Sequence, residues 1–213
     1  GDGNPLLIND PRFSPAGVLA PKSKADMAFI MHSLSWLATS GTAAIVCFPG
    51  IMYRGGAERK IRKYLVDNNY VDCVIQLPSN LFFGTSIATC IMVLKKSKRD
   101  NHTLFLDASQ MYVQVTNNNN LAPEHIERIV GIFTDRADVQ YEARLVPNSE
   151  IAEHDYNLSV STYVAKEDTR EVVIIADLNA EIKRIAERID QLRAGIDEII
   201  AEIDPSAEQE LEQ

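Results

Sequence analysis

The stretch from Thr42 to Lys96 constrains the fold more than any other part of the chain. It reads as an apolar strand (Ala43 to Phe48), a glycine-broken loop (Pro49 to Ala57), a basic helix (Glu58 to Asn68), a second strand (Val71 to Leu77), a loop closing on Phe83-Gly84-Thr85, and a third strand (Ala88 to Leu94). Near-continuous apolar runs predict strands buried on both faces, as at the centre of an open α/β sheet. The basic helix can return the chain for a parallel second strand, whereas the loop before Ala88 holds no crossover helix. The third strand must then pair antiparallel with the second or leave the sheet.

The flanks are organised more simply. Gly1 to Pro21 is rich in proline, glycine and asparagine and is expected to be irregular. A helix is expected from Ser23, capped by Ser23 with Asp26 answering as a capping box, through Thr39, with Gly41 ending it; Met27, Ile30, Met31, Leu34, Leu37 and Ala38 form its apolar stripe. Beyond the basic turn Lys95-Lys96-Ser97-Lys98-Arg99, Thr103 to Leu106 is a short strand and the asparagine run 117–120 an exposed loop. Pro123 opens a helix through Phe133 with Ile126, Ile129, Val130 and Phe133 directed inward. The domain reading is an entry segment (1–21), an α/β part (22–107), a mixed connection (108–168), a helical segment (169–204) and an acidic tail (205–213).

In that helical segment Leu178, Ile182, Ile185, Ile189, Leu192, Ile196, Ile199 and Ile203 are spaced alternately by four and three, a heptad seam with isoleucine at every a position. Pro205 would stop it, giving a helix of roughly 40 Å at about 1.5 Å per residue. In a parallel homodimer Arg188 would face Arg193, which favours an antiparallel or heterologous partner. Packing of the helix back on its own domain is the alternative.

Composition excludes several classes. The hydrophobic fraction of 46% suits an ordinary globular protein. No charged-then-apolar leader or long apolar span is present, so secretion and membrane insertion are not expected and a cytoplasmic setting is; the start without methionine suggests a piece of a longer protein. Cys47, Cys73 and Cys90 lie in expected strands with no C-x-x-C pair, as reduced thiols would. His32, His102, His125 and His154 show no metal spacing, so no metal site is expected. The net charge of −9 divides unevenly: residues 1–100 hold twelve Lys/Arg against seven Asp/Glu, and residues 101–213 nine against twenty-three. The basic part suits phosphates and the acidic part a protein partner.

Candidate functional residues cluster after the strands. Tyr53 and Arg54 fall in the loop at a strand's carboxyl edge, where open α/β sheets bind ligands, and either line a cleft rim or sit in a plain strand-to-helix turn. Arg59, Lys60, Arg62 and Lys63 form either a phosphate-binding face or the solvated side of a helix that buries Ile61, Tyr64 and Leu65, the second reading being favoured. Phe82 and Phe83 either stack on a base or cofactor or, the favoured reading, plug the end of the sheet.

The words Phe48-Pro49-Gly50, Tyr53-Arg54-Gly55-Gly56-Ala57-Glu58 and Leu77-Pro78-Ser79-Asn80-Leu81-Phe82-Phe83-Gly84-Thr85, preceded by Pro21-Lys22-Ser23-Lys24-Ala25-Asp26, resemble the modification (M) subunit of type I restriction-modification systems. The segment around Asp155-Tyr156-Asn157-Leu158 resembles a family stretch too. The resemblance implies the latter part of a class I, Rossmann-like methyltransferase sheet followed by a coiled-coil-like helix. It implies a parent enzyme that methylates adenine N6 in DNA with S-adenosylmethionine, a specificity (S) subunit docked on the terminal helix, and a restriction (R) subunit in the larger complex. The family's [Asn/Asp/Ser]-Pro-Pro-aromatic site is not matched: Asp10-Pro11-Arg12-Phe13 has arginine for the second proline, and Asn4-Pro5-Leu6-Leu7 lacks that proline and the aromatic. Catalytic and cofactor residues are therefore expected upstream, with this chain inactive by itself. A non-catalytic interaction module, an α/β platform carrying a coiled coil, is the alternative; another α/β nucleotide-binding enzyme fragment is a weaker one.

Overall fold

A computed structural model describes residues 2–166 and 175–203. The chain divides into two compact units, 1–167 and 168–213. After two short 3-10 turns, the first unit contains α1 (Asp26–Trp36), β1 (Thr42–Cys47), α2 (Gly56–Asp67), β2 (Val71–Gln76), β3 (Cys90–Lys95), β4 (His102–Asp107), β5 (Val113–Val115), β6 (Asn118–Asn120), α3 (Pro123–Asp135), β7 (Ala143–Pro147), α4 (Asn148–Glu153) and α5 (Val160–Tyr163). The second contains α6 (Ile175–Ile203). No helix among the described residues is long and apolar enough to cross a membrane.

Five strands make one mixed sheet in the order β1-β3-β2-β4-β7. The third strand pairs antiparallel with the second, as its short connection requires. It also pairs antiparallel with β1 and so lies between the two: β1 and β2 run in the same direction but are not neighbours. β2 is parallel to β4, which pairs antiparallel with β7.

The core forms on both faces of this sheet. Met27, Ile30, Met31 and Leu34 of α1 and Ile61, Leu65 and Val66 of α2 pack on one side with Val74, Met92, Leu94 and Phe105. Ile129, Ile132 and Phe133 of α3 pack on the other with Cys73, Ile75, Val93, Leu104 and Leu106. The expected two-sided burial thus holds for β2 and β4 but not for β1, where Thr42, Ala44 and Val46 alternate outward. Val46 is 54% exposed, because α3 reaches only the far half of that face.

Other departures have local causes. Ser23 does not cap α1: Lys24 N–H closes a turn on Pro21 O (3.0 Å), which delays the helix until Asp26. α1 ends at Trp36, and Gly41 lies in the turn after it. The asparagine run is not a free loop but forms β6, where Asn119 is buried and ties two backbone segments. Ile126 and Val130 are exposed rather than inward, since Ile129, Ile132 and Phe133 already occupy the narrow face that meets the sheet. The three cysteines are free and buried; burial pushes the Cys47 thiol up to about 11 and the Cys90 thiol to about 12.

In α6 all eight seam residues, Leu178, Ile182, Ile185, Ile189, Leu192, Ile196, Ile199 and Ile203, are exposed. At about 1.5 Å per residue, its 29 residues span roughly 43 Å. The stop at Pro205, the acidic tail 205–213 and residues 169–174 of the helical segment lie outside the described residues.

Candidate functional site

Because β1, β2 and β4 point the same way, the segments that follow them share one edge of the sheet. The loop after β1 (48–55) carries Tyr53 and Arg54, the loop after β2 (77–89) carries Phe82 and Phe83, and Ala108 N–H ties the end of β4 to Gln76 O at 2.9 Å. The β5–β6 hairpin pins the second loop. Asn119 donates from its backbone to Asn80 O (2.9 Å) and from Nδ2 to Ser79 O (2.8 Å), so a buried amide makes two bonds to a loop that would otherwise be loose.

The phenylalanines do not plug the sheet. Phe83 is fully exposed and Phe82 is 39% exposed, since the turn closed by Thr85 N–H on Phe82 O and completed by Gly84 at φ +80° lifts both off the strands. Gly84 suits that turn because a side chain is strained at positive φ. Tyr53, 58% exposed, stands on the same edge. The edge therefore offers aromatic faces to solvent, the arrangement by which proteins stack on unpaired bases.

The basic cluster of α2 separates into distinct roles. Arg62 is neither a phosphate contact nor on a solvated face: it is 1% exposed and donates from Nε to Tyr156 O and from Nη1 to Ile51 O, each at 2.8 Å. Burial lowers its pKa to about 10, and the Glu58 carboxylate opposes that shift. Arg59 pairs with Asp155 and holds that carboxyl below its ordinary range. Lys63 donates to Asp67 (2.6 Å) and to Tyr156 Oη (2.8 Å), its Nζ 4.7 Å from the Tyr156 ring centroid. Lys60 is exposed and is the member of the cluster with neither an ion pair nor a side-chain hydrogen bond among the described residues.

Most of the cluster thus grips one segment of the chain. Asp155 and Tyr156 both have φ near +57°, a left-handed pair that the contacts of α2 offset. Leu158 N–H completes the clamp on Met52 O at 2.8 Å. Composition alone could not assign this segment a role; the available signal was an acidic residue and an aromatic side by side, matched to a helix with three basic residues on neighbouring turns.

Arg54 is folded back rather than projecting. Its guanidinium carbon lies 5.2 Å from the Phe48 ring centroid, and Nη1 is 3.5 Å from Glu58 Oε1. It fills the space above Gly50, where an added Cβ would meet Nη2 at 2.5 Å. The first glycine after β1 therefore cradles a side chain. Near the amino terminus, Asp10 is held by Arg12 (2.6 Å between Oδ2 and Nη2), which pulls its pKa down to about 2, and Asn4 Oδ1 accepts from Leu6 N–H at 3.2 Å. Both polar groups of the near-miss motifs serve their own turns.

A family model for N-6 DNA methylases matches residues 3–172. The chain belongs to the N-6 DNA methylase family. This chain is 48% identical over 204 residues to the type I restriction enzyme MpnII methylase subunit of Mycoplasma pneumoniae, covering 95% of this chain and 38% of that protein. It is 31% identical to the MjaVII methylase subunit of Methanocaldococcus jannaschii, covering 88% of this chain and 33% of that protein. The structure superposes on the type I restriction-modification methyltransferase subunit of Streptococcus thermophilus with a TM-score of 0.74 at 43% identity, covering 76% of this chain and 35% of that one. It shares the fold of the EcoKI M protein at a TM-score of 0.56 and 16% identity. The N-6 DNA methylase chain thus spans about a third to two fifths of the length of these relatives.

Proposed function

We propose that this chain is the carboxyl-terminal portion of a type I modification subunit whose complete form transfers a methyl group from S-adenosylmethionine to adenine N6 in DNA, in the cytoplasm. It contributes the latter part of a Rossmann-like sheet. The observation that carries this reading is the state of β1: unlike β2 and β4, it has a neighbour on one side only and presents Ala44, Val46 and the following Phe48 to solvent. A strand of that composition at an open edge suits continuation of the sheet by further chain, and relatives more than twice as long support it.

In this reading the carboxyl edge faces DNA. Phe83, Phe82 and Tyr53 meet a base turned out of the duplex, whose extrusion costs a few kcal/mol, while Lys60 meets phosphate. The residues described here do not assemble a cofactor site: Gly50 lies under Arg54, and Asn4 Oδ1 and the Asp10 carboxylate are engaged in their own turns. Cofactor and catalytic residues would lie upstream, so the chain alone is inactive and binds S-adenosylmethionine weakly. The stripe on α6 docks the specificity subunit, which selects the DNA sequence, with a restriction subunit in the larger assembly.

Two measurements test this. Methyl transfer to DNA should be present in the full-length parent assembled with its specificity subunit and absent from the 213-residue chain; transfer by the chain alone would defeat the reading. Isothermal titration with the specificity subunit should lose binding when residues 170–213 are removed, and unchanged binding would sink the docking role of α6.

A further inference from the structure

Glu58 lies buried in the first turn of α2. It is 2% exposed, and its Oε1 is enclosed without a hydrogen bond, the nearest cation being Arg54 Nη1 at 3.5 Å. A buried carboxylate is costly unless it is paired, and the cation beside this one is Arg54. Glu58 and Arg62 are one turn apart on α2, which starts at Gly56, and Arg54 in the loop just before it folds back toward Glu58. Arg54 and Arg62 flank the carboxylate, and each touches the loop after β1 at a different point. Arg54 covers Gly50 and the Phe48 ring, with its own N–H on Gly50 O at 3.1 Å; Arg62 holds Ile51 O at 2.8 Å.

Resting on the reading of this loop as the rim of a DNA-facing edge, we propose that Glu58 is a positioning residue that keeps Arg54 folded over Gly50 and so leaves Tyr53 as the loop side chain that meets DNA. The geometry also accounts for two residue choices. Gly50 lets the guanidinium lie this close: a methyl group there would stand 2.5 Å from Arg54 Nη2 and 2.6 Å from Cζ, so the guanidinium would have to move. Lysine would not replace Arg54, since the planar guanidinium spans an aromatic ring and a carboxylate at once. Arg54 is thereby turned away from the cleft rim, and its charge balances Glu58 instead.

The folded-back state is read directly by trypsin, which cuts after an arginine only when the chain around it opens. In the 213-residue chain, Glu58→Gln removes the charge while keeping the shape, and Gly50→Ala displaces the guanidinium. Both are expected to speed cleavage between Arg54 and Gly55 about tenfold, with cleavage after buried Arg62 still slow, because local opening leaves the core intact. No acceleration in either variant, or joint release of Arg54 and Arg62 in both, overturns the proposal. In the full-length parent with its specificity subunit, Glu58→Gln and Tyr53→Ala should each raise KM for DNA without changing KM for S-adenosylmethionine, and Tyr53→Ala should leave Arg54 protected. An unmoved DNA KM in an active parent refutes the positioning role. A wild-type parent with no methyl transfer, but with Arg54 released in the variants, supports the latch and defeats the methyltransferase reading instead.

Discussion

Replacing Arg62 by methionine tests whether this buried arginine clamps the loop after β1 to the segment around Tyr156. The guanidinium makes two 2.8 Å hydrogen bonds, to Ile51 O and Tyr156 O, from a site 1% exposed. Bonds involving a charged group contribute about 1.5–3 kcal/mol each, so about 3–6 kcal/mol is lost with the pair. Relief of the burial that brings the Arg62 pKa to about 10 returns about 3 kcal/mol at roughly 1.4 kcal/mol per unit. Leaving the buried Glu58 carboxylate without this cation takes back about 1–3 kcal/mol. The expected net loss is about 3 kcal/mol, large against a stability of about 5–15 kcal/mol. Urea unfolding followed by circular dichroism gives the loss, and hydrogen exchange at Leu158 N–H, bonded to Met52 O, shows whether the clamp itself has opened. Arg62→Lys should fall between, since an ammonium reaches one carbonyl well but not both. A loss below about 0.5 kcal/mol, the usual size for a surface substitution, with Leu158 exchange unchanged, would refute the reasoning.

Phe83→Ala should leave urea stability within about 0.5 kcal/mol, because the ring is fully exposed. The same change should weaken DNA binding by the assembled parent by about 1–3 kcal/mol in a titration, and equal affinity would remove the stacking role. Val46→Lys should be nearly neutral in the isolated chain, where that face is bare, yet cost about 2 kcal/mol or more in the full-length parent; equal urea midpoints in the parent and its variant would argue against further chain covering β1. Burial lowers the Lys98 pKa to about 8, against about 10.4 in the unfolded chain. Between those values the unfolded state binds more protons, so stability should rise with pH, by about 2 kcal/mol after allowance for partial exposure, and Lys98→Met should flatten the slope.

Much of the fold was legible because it depends on local rules. Apolar runs at Val71 to Leu77 and Ala88 to Leu94, separated by a loop without a crossover helix, left an antiparallel pair or an exit from the sheet, and the structure contains the pair. The insertion of β3 between β1 and β2 was not legible, since pairing on the second edge depends on which strand is free after folding. Phe82-Phe83 was misread because burial preferences describe averages, whereas Gly84 and the Asn119 bonds set where this loop sits.

The charge pattern of α2 shows where the boundary between the two lies. Glu58, Arg59, Lys60, Arg62 and Lys63 made a basic amphipathic helix certain from sequence, because helical spacing and side-chain charge are properties of the residues themselves. Whether Arg59 and Arg62 met water, a carboxylate or a backbone carbonyl depended on Asp155 and Tyr156, over ninety residues away. Helix periodicity is local and survives any fold. The partner of a charge is fixed only when distant chain is brought within a few ångström, and that step decided which residues clamp the loop and which remain at the edge.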